Sequence, residues 1–196
     1  SSIRDCISLG VGEPDFVTPW EIRDAAIKSV QAGKTQYTSN AGLLSLREEI
    51  AGYLSARFNA AYEPGSEIIV TIGASEAIDL ALRTLVRPGD EVLIPSPSYV
   101  SYAPNAAITG GVAVAVETSA KNGFALTPEL LEKAITPRSK ALILPYPNNP
   151  TGAIMTRAQL EKIAEVAERN DLFVISDEIY AELTYGQKHA SFAAIP

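Results

Sequence analysis

The sequence is poor in the residues that build most disulfide, metal and nucleic-acid sites. Among 196 residues there is one cysteine, Cys6, and one histidine, His189. A single cysteine leaves no intramolecular disulfide and no thiolate cluster, and one histidine supplies too few soft ligands for a zinc or haem centre of usual type. Basic residues are outnumbered, with 16 Lys+Arg against 23 Asp+Glu and a formal net charge of −7. That balance argues against nucleic acid or an anionic membrane as partner, since both require a basic face. It leaves room for a small anionic ligand held by backbone N–H groups. No apolar stretch reaches the ~18 residues of a membrane span. The opening SSIRDCISLG has no apolar core of the kind a secretory signal carries. The expectation is a soluble, cytoplasmic protein. Asn149-Pro150-Thr151 has the outline of a glycosylation acceptor, but proline in its middle position disqualifies it. With 46% hydrophobic and 20% charged residues, the chain is too apolar for disorder and long enough to bury a core.

What is present is an alternation of short apolar runs and helical patterns. The runs are Glu67–Ile72, Glu91–Pro95, Val112–Glu117, Lys140–Pro145 and Leu172–Asp177. Four are nearly continuous, as expected of strands buried on both faces of a parallel sheet, whereas the Val/Ala alternation of Val112–Glu117 also suits an edge. Leu43, Leu46, Ile50, Tyr53, Leu54 and Phe58 recur at helical spacing. Thr156 with Gln159 forms a capping box that opens a helix with Leu160, Ile163, Ala164 and Ala167 inward. Thr127-Pro128 sets an N-cap followed by proline at the first helical position. The pattern predicts an α/β fold of three layers, a mostly parallel sheet with helices on both faces. Residues 1–41 read as an arm or second-lobe segment with one helix over Trp20–Ala32. Residues 42–196 read as the α/β domain.

Two glycine motifs fail on inspection. Gly33-Lys34-Thr35 resembles the end of a P-loop, but Lys28 stands where the first glycine belongs. Gly10-Val11-Gly12 begins like a dinucleotide fingerprint, but Asp15 replaces its third glycine. Gly73-Ala74-Ser75-Glu76-Ala77 is more informative, because it follows an apolar run and opens a helix. One meaning is a hydrolase nucleophile elbow, with Ser75, Asp177 and His189 in triad order, although Ala77 replaces the second glycine. Another is a phosphate site, in which the first-turn N–H groups of Ala74 and Ser75 and the Ser75 hydroxyl hold an anion. A third is a plain N-cap by Ser75. Asn148-Asn149-Pro150-Thr151-Gly152 and Asp177-Glu178-Ile179-Tyr180 each follow a predicted parallel strand, at the edge where open α/β sheets bind ligands. Either could be an ordinary turn or cap. The asparagine amide could also orient a ligand, and a carboxylate there could hold a pyridinium N–H.

In order along the chain, Gly12-Glu13-Pro14-Asp15-Phe16, Tyr37-Thr38, Gly73-Ala74-Ser75-Glu76-Ala77, Pro97-Ser98-Tyr99, Asn148-Asn149-Pro150-Thr151-Gly152 and Asp177-Glu178-Ile179-Tyr180 resemble the class I/II pyridoxal-phosphate aminotransferases of fold type I. The match runs nearly end to end. The resemblance implies transfer of an amino group between an amino acid and a 2-oxo acid, with pyridoxal 5'-phosphate as cofactor. It implies that Ala74 and Ser75 hold the phosphate and that Tyr99 stacks on the pyridine ring. Asn149 and Tyr180 would hydrogen-bond the ring's phenolic oxygen, and Asp177 would pair with its nitrogen. Gly12 and Asn149 would lie toward the substrate, and Tyr37 would reach the phosphate of a neighbouring subunit in a homodimer.

The family's Schiff-base lysine lies on a later strand. Lys28, Lys34, Lys121, Lys133, Lys140, Lys162 and Lys188 all lack its Ser/Lys context. The expectation is therefore an N-terminal arm plus most of a cofactor domain, inactive alone and completed by a C-terminal portion or by edge pairing with another copy. A non-catalytic chain that holds the cofactor noncovalently is the alternative. The resemblance also implies that Glu67–Ile72 and Leu172–Asp177 do not pair directly, two later strands lying between them. Leu172–Asp177 is therefore expected to be an open edge and Glu67–Ile72 to lack its partner.

Overall fold

The computed structural model describes Gly12 and residues 15–196. Cys6, and Glu13 and Pro14 of the Gly12–Phe16 motif, lie outside the described residues. The chain divides between Thr38 and Ser39 into two compact units. In the first, α1 spans Trp20–Gln31, close to the predicted helix, with Asp24 and Lys28 paired one turn apart.

The second unit is the predicted α/β layer structure. Among the described residues, β1 (Glu91–Ser96), β2 (Val112–Glu117), β3 (Ser139–Leu144) and β4 (Phe173–Ser176) form a parallel sheet in the order β2-β1-β3-β4. Around it lie α2 (Leu44–Phe58), α3 (Gly73–Leu85), α4 (Tyr102–Ile108), α5 (Pro128–Ala134) and α6 (Arg157–Arg169). Strand periodicity divides the core. Val92, Ile94, Ala141 and Ile143 face Ile78 and Leu82 of α3 and Tyr102 and Ala106 of α4. Their neighbours Leu93, Leu142 and Leu144 face Leu131 of α5 and Leu160, Ile163 and Val166 of α6. Both faces of β1 and β3 are thus covered, which accounts for their unbroken apolar runs. The Val/Ala strand, β2, is an edge, and β4 is the opposite edge among the described residues.

Both predicted helix starts are present. Thr156 accepts from the Gln159 N–H while the Gln159 side chain accepts from the Thr156 N–H, and Thr127 caps α5 ahead of Pro128. Helix α4 carries no periodicity signal. Its Pro104 is tolerated because it sits in the first turn, where N–H groups have no intrahelical partner. No helix among the described residues is long and apolar enough to cross a membrane.

One expected strand is absent. Glu67–Ile72 is irregular, its Val70 N–H donating to the Ala41 carbonyl at 3.0 Å, and Ile72 is 90% exposed. An apolar run becomes a strand only beside a neighbour that completes its ladder, and among the described residues none pairs with this one.

The entry of the sheet is locked by Glu91. Its carboxylate, 4% exposed, accepts from the Thr136 hydroxyl, the Ser139 hydroxyl at 3.2 Å, and Arg138 Nε and Nη2 at 3.1 and 2.7 Å. The Thr136 hydrogen bond first, then those from Arg138, hold the carboxyl below its ordinary range. A lowered native pKa adds stability that is fully present at neutral pH and is lost as pH falls through the native value. Glu91→Gln is expected to cost about 1–3 kcal/mol at neutral pH and to flatten this part of the acid limb. Urea unfolding at a series of pH values measures both; an unchanged acid limb would show that Glu91 contributes nothing to it. Thr156→Ala, which removes half of the α6 capping box, is expected to lower stability by about 1 kcal/mol in the same assay.

Candidate functional site

Because the strands are parallel, β1, β3 and β4 all release their chains at one edge of the sheet. Each of the following segments carries motif residues. After Ser96 the chain passes a cis Ser96–Pro97 bond to Tyr99, whose ring is 40% exposed. Tyr99 meets Tyr102 edge to face, with centroids 5.7 Å apart and planes at 78°. Tyr102 is 4% exposed, and its hydroxyl donates to Asp177 Oδ2 at 2.9 Å.

Asp177 lies one residue beyond β4, and its N–H continues the ladder to the Leu144 carbonyl at 3.1 Å. Its Oδ1 accepts the Ile179 N–H at 3.2 Å, closing a turn at the strand end. Among the described residues no lysine, arginine or histidine pairs with this half-buried carboxylate. Burial, then the charge of Asp177 and its hydrogen bond, push the Tyr102 hydroxyl well above its ordinary range, and Tyr180 and Tyr99 add to the shift. The Tyr102 proton therefore stays in place. Tyr99 and Asp177 thus both contact Tyr102, one through its ring and one through its hydroxyl.

The Asn-Pro run after β3 divides its labour. Asn148, buried, builds the turn: its Oδ1 accepts from the Thr151 N–H at 3.2 Å and the Thr151 hydroxyl at 2.8 Å. Asn149 precedes a cis peptide to Pro150 and is exposed, its amide without a partner among the described residues. Tyr180 is half-buried in the turn closed by the Leu183 N–H at 2.8 Å.

Helix α3 opens at Gly73, which holds φ +74°, a conformation that favours glycine, and a Cβ there would meet nothing within 4 Å. The N-cap is Ile72, which has no side-chain acceptor, so the capping role considered for Ser75 does not hold: Ser75 lies inside the first turn, exposed. No side chain caps the first-turn amides of Ala74 and Ser75. Helix α3 packs against α4 and reaches β4, in the layer that carries Tyr102.

The hydrolase triad is not assembled. His189 Nε2 is 2.7 Å from Glu178 Oε2, not engaged with Asp177, whose oxygens are taken by Tyr102 and Ile179. Glu178 is instead caged by Ser176 at 2.8 Å, Ser191 at 3.2 Å and the Phe192 N–H at 2.8 Å. Burial alone would raise its pKa, but His189 and the other donors outweigh it and leave the carboxyl below its ordinary range. The two acids therefore point to opposite faces, as successive residues of an extended segment do.

Gly12 and Tyr37, both exposed, belong to the first unit. Sequence reasoning missed Tyr102 and the Glu178–His189 cage. The signal for the former was Tyr102 itself, three residues after Tyr99 and so able to share its side of a turn.

Known proteins resemble this chain closely. The Bacillus subtilis protein YugH, whose name places it among aminotransferases, is 50% identical over 196 residues, covering 100% of this chain and 51% of the relative. An aspartate aminotransferase of Geobacillus stearothermophilus is 47% identical over 193 residues, 98% of this chain and 49% of the relative. The crystal structure of an aromatic aminotransferase from Pyrococcus horikoshii superposes with a TM-score of 0.95 at 42% identity, covering 99% of this chain and 52% of that one. The chain thus spans about half the length of the curated relatives it matches. Residues 4–195 match the family model described as aminotransferase class I and II, and the chain belongs to that family.

Proposed function

We propose that this chain supplies the cofactor-holding part of a pyridoxal-phosphate-dependent aminotransferase, which moves an amino group between an amino acid and a 2-oxo acid in the cytoplasm. The observation that carries the reading is Asp177: a half-buried carboxylate at the C-terminal edge of a parallel sheet, oriented by two donors and paired with no cation among the described residues. A structural carboxylate in such a place is commonly neutralised by a neighbouring Lys or Arg. This one fits a ligand that brings its own N–H⁺.

The other donors fit the same cofactor. At the start of α3 the Glu76 carboxylate accepts the Ile72 N–H, while the Ala74 and Ser75 amides are taken by no side chain among the described residues. With a glycine that has free space at its Cβ position, this turn suits a phosphate held by those amides and the Ser75 hydroxyl. Tyr99 offers an exposed ring face for stacking. Asn149 and Tyr180, both at the same sheet edge, would hydrogen-bond the phenolic oxygen. Held by these residues, the cofactor would supply an electron sink for the pair left on loss of the substrate's Cα proton. Asp177 would help to hold the proton on the cofactor's ring nitrogen, because a carboxylate beside it in a partly water-excluded site favours the charged form. Gly12 would lie toward the substrate carboxylate, and Tyr37 would contact the phosphate held by a second copy in a homodimer.

The lysine set favours a second reading, in which these residues hold the cofactor noncovalently and turnover requires the rest of the polypeptide. Lys140 lies over the Phe173 ring at 4.7 Å, at the start of β3 and so at the opposite end of the sheet from Asp177, and Lys28 is paired with Asp24.

Asp177→Ala is expected to weaken pyridoxal-phosphate binding roughly ten- to a hundredfold, the loss of one charge-assisted hydrogen bond. In the full-length protein it should remove most transamination, and Asp177→Glu should do less harm. Absorbance titration with the cofactor and a coupled transamination assay read the two effects. Near-normal affinity and turnover in Asp177→Ala would end the proposed role.

A further inference from the structure

We propose that Tyr102 is a positioning residue for Asp177: its buried hydroxyl fixes the direction in which the carboxylate presents its free lone pairs to the cofactor's ring nitrogen. This rests on the role of Asp177 proposed above and extends it to a residue that acts through Asp177.

Three observations carry it. First, Tyr102 is buried in one core cluster with Val92, Ile94, Ala106 and Ile143, and its ring meets Tyr99 edge-on. Second, among the described residues Asp177 is the one partner of its hydroxyl, and the hydroxyl keeps its proton, so the hydrogen bond runs from Tyr102 to the carboxylate. Third, the two donors on Asp177 sit on different oxygens, Tyr102 on Oδ2 and the Ile179 N–H on Oδ1. One donor would leave the carboxylate free to rotate about its Cβ–Cγ bond. Two donors on opposite oxygens fix its plane and leave each oxygen a free acceptor position. Tyr102 also links the proposed stacking residue to the proposed nitrogen partner, through a ring contact on one side and a hydrogen bond on the other. A tyrosine that merely filled the core would be equally well served by a backbone carbonyl, the partner that Tyr146 uses at Phe124.

The test is Tyr102→Phe in the full-length holoenzyme, which keeps the ring and removes only the donor. The cofactor affinity is measured by titration, and the protonation of ¹⁵N-labelled pyridoxal phosphate is followed by NMR across pH. Loss of one hydrogen bond to a charged group is expected to weaken cofactor binding roughly tenfold. The ring nitrogen is expected to lose its proton at lower pH, because a freely rotating carboxylate faces it for only part of the time. A purely structural role would move the melting temperature and leave the nitrogen profile unchanged, and that result would overturn the inference. A nitrogen that holds its proton to higher pH would overturn it too, by showing that the hydroxyl drains the carboxylate's basicity and does not aim it. If Tyr102→Phe fails to fold, 3-fluorotyrosine at position 102 retains both ring and hydroxyl. Its ¹⁹F resonance is expected to shift on cofactor loading, and the absence of a shift would count against coupling to Asp177. Asp177→Ala separates the two levels. If it weakens binding and Tyr102→Phe does not, only the positioning role falls; if neither does, the cofactor reading falls with it.

Discussion

The chemistry of this chain depends on the fact that β3 runs parallel between β1 and β4. Parallel pairing fixes direction as well as register, so three strands end at one edge and the residues after them are delivered to one place. The register Leu144 to Ser176 sets where β4 stops. The N–H of Asp177 then takes the next hydrogen bond of the ladder, at the Leu144 carbonyl. Asp177 is therefore held by the sheet itself, with backbone precision that a loop residue lacks. The apolar layers on both faces exclude water from the strands and leave their ends as the open polar edge.

Strand periodicity then gives two adjacent acids different fates. Asp177 turns toward the α3 and α4 layer and meets a tyrosine hydroxyl. Glu178 turns toward the α5 and α6 layer and meets His189, two serines and a backbone N–H. The first keeps free acceptor positions and no cation among the described residues. The second is satisfied on both oxygens and ties residues 189–192 to the end of β4. Sequence proximity alone makes the two carboxylates look interchangeable; the pleat separates an anchor for the fold from the carboxylate proposed to hold a ligand.

Much of this was legible in the sequence, for reasons that also explain the exceptions. The unbroken runs of β1 and β3 are readable because both faces are buried, and the Val/Ala pattern of β2 because one face is not. The Thr156 and Thr127 caps are local chemistry and needed no tertiary knowledge. Glu67–Ile72 misled because apolar content predicts burial but cannot supply a ladder partner. Helix α4 was hidden by Pro104 and by its shortness. At the site, the residues whose type is chemically distinctive, Asp177 and Asn149, stand out along the chain. Tyr102 does not, since its meaning comes from a hydrogen bond across 75 positions of sequence. By sequence alone Ser75 suits a nucleophile or a cap, and geometry goes against both: Ile72 is the N-cap, and His189 pairs with Glu178.

In the proposed arrangement the sheet edge at Asp177 and the first turn of α3 together form one cofactor cradle. A crystal structure of the full-length protein grown with pyridoxal phosphate tests it most directly. The ring nitrogen is expected within hydrogen-bond distance of Asp177, with the Tyr102 hydroxyl still on the other carboxylate oxygen and the phosphate against the amides of Ala74 and Ser75. Cofactor density that leaves Asp177 unengaged, or that places the phosphate away from the start of α3, would contradict it.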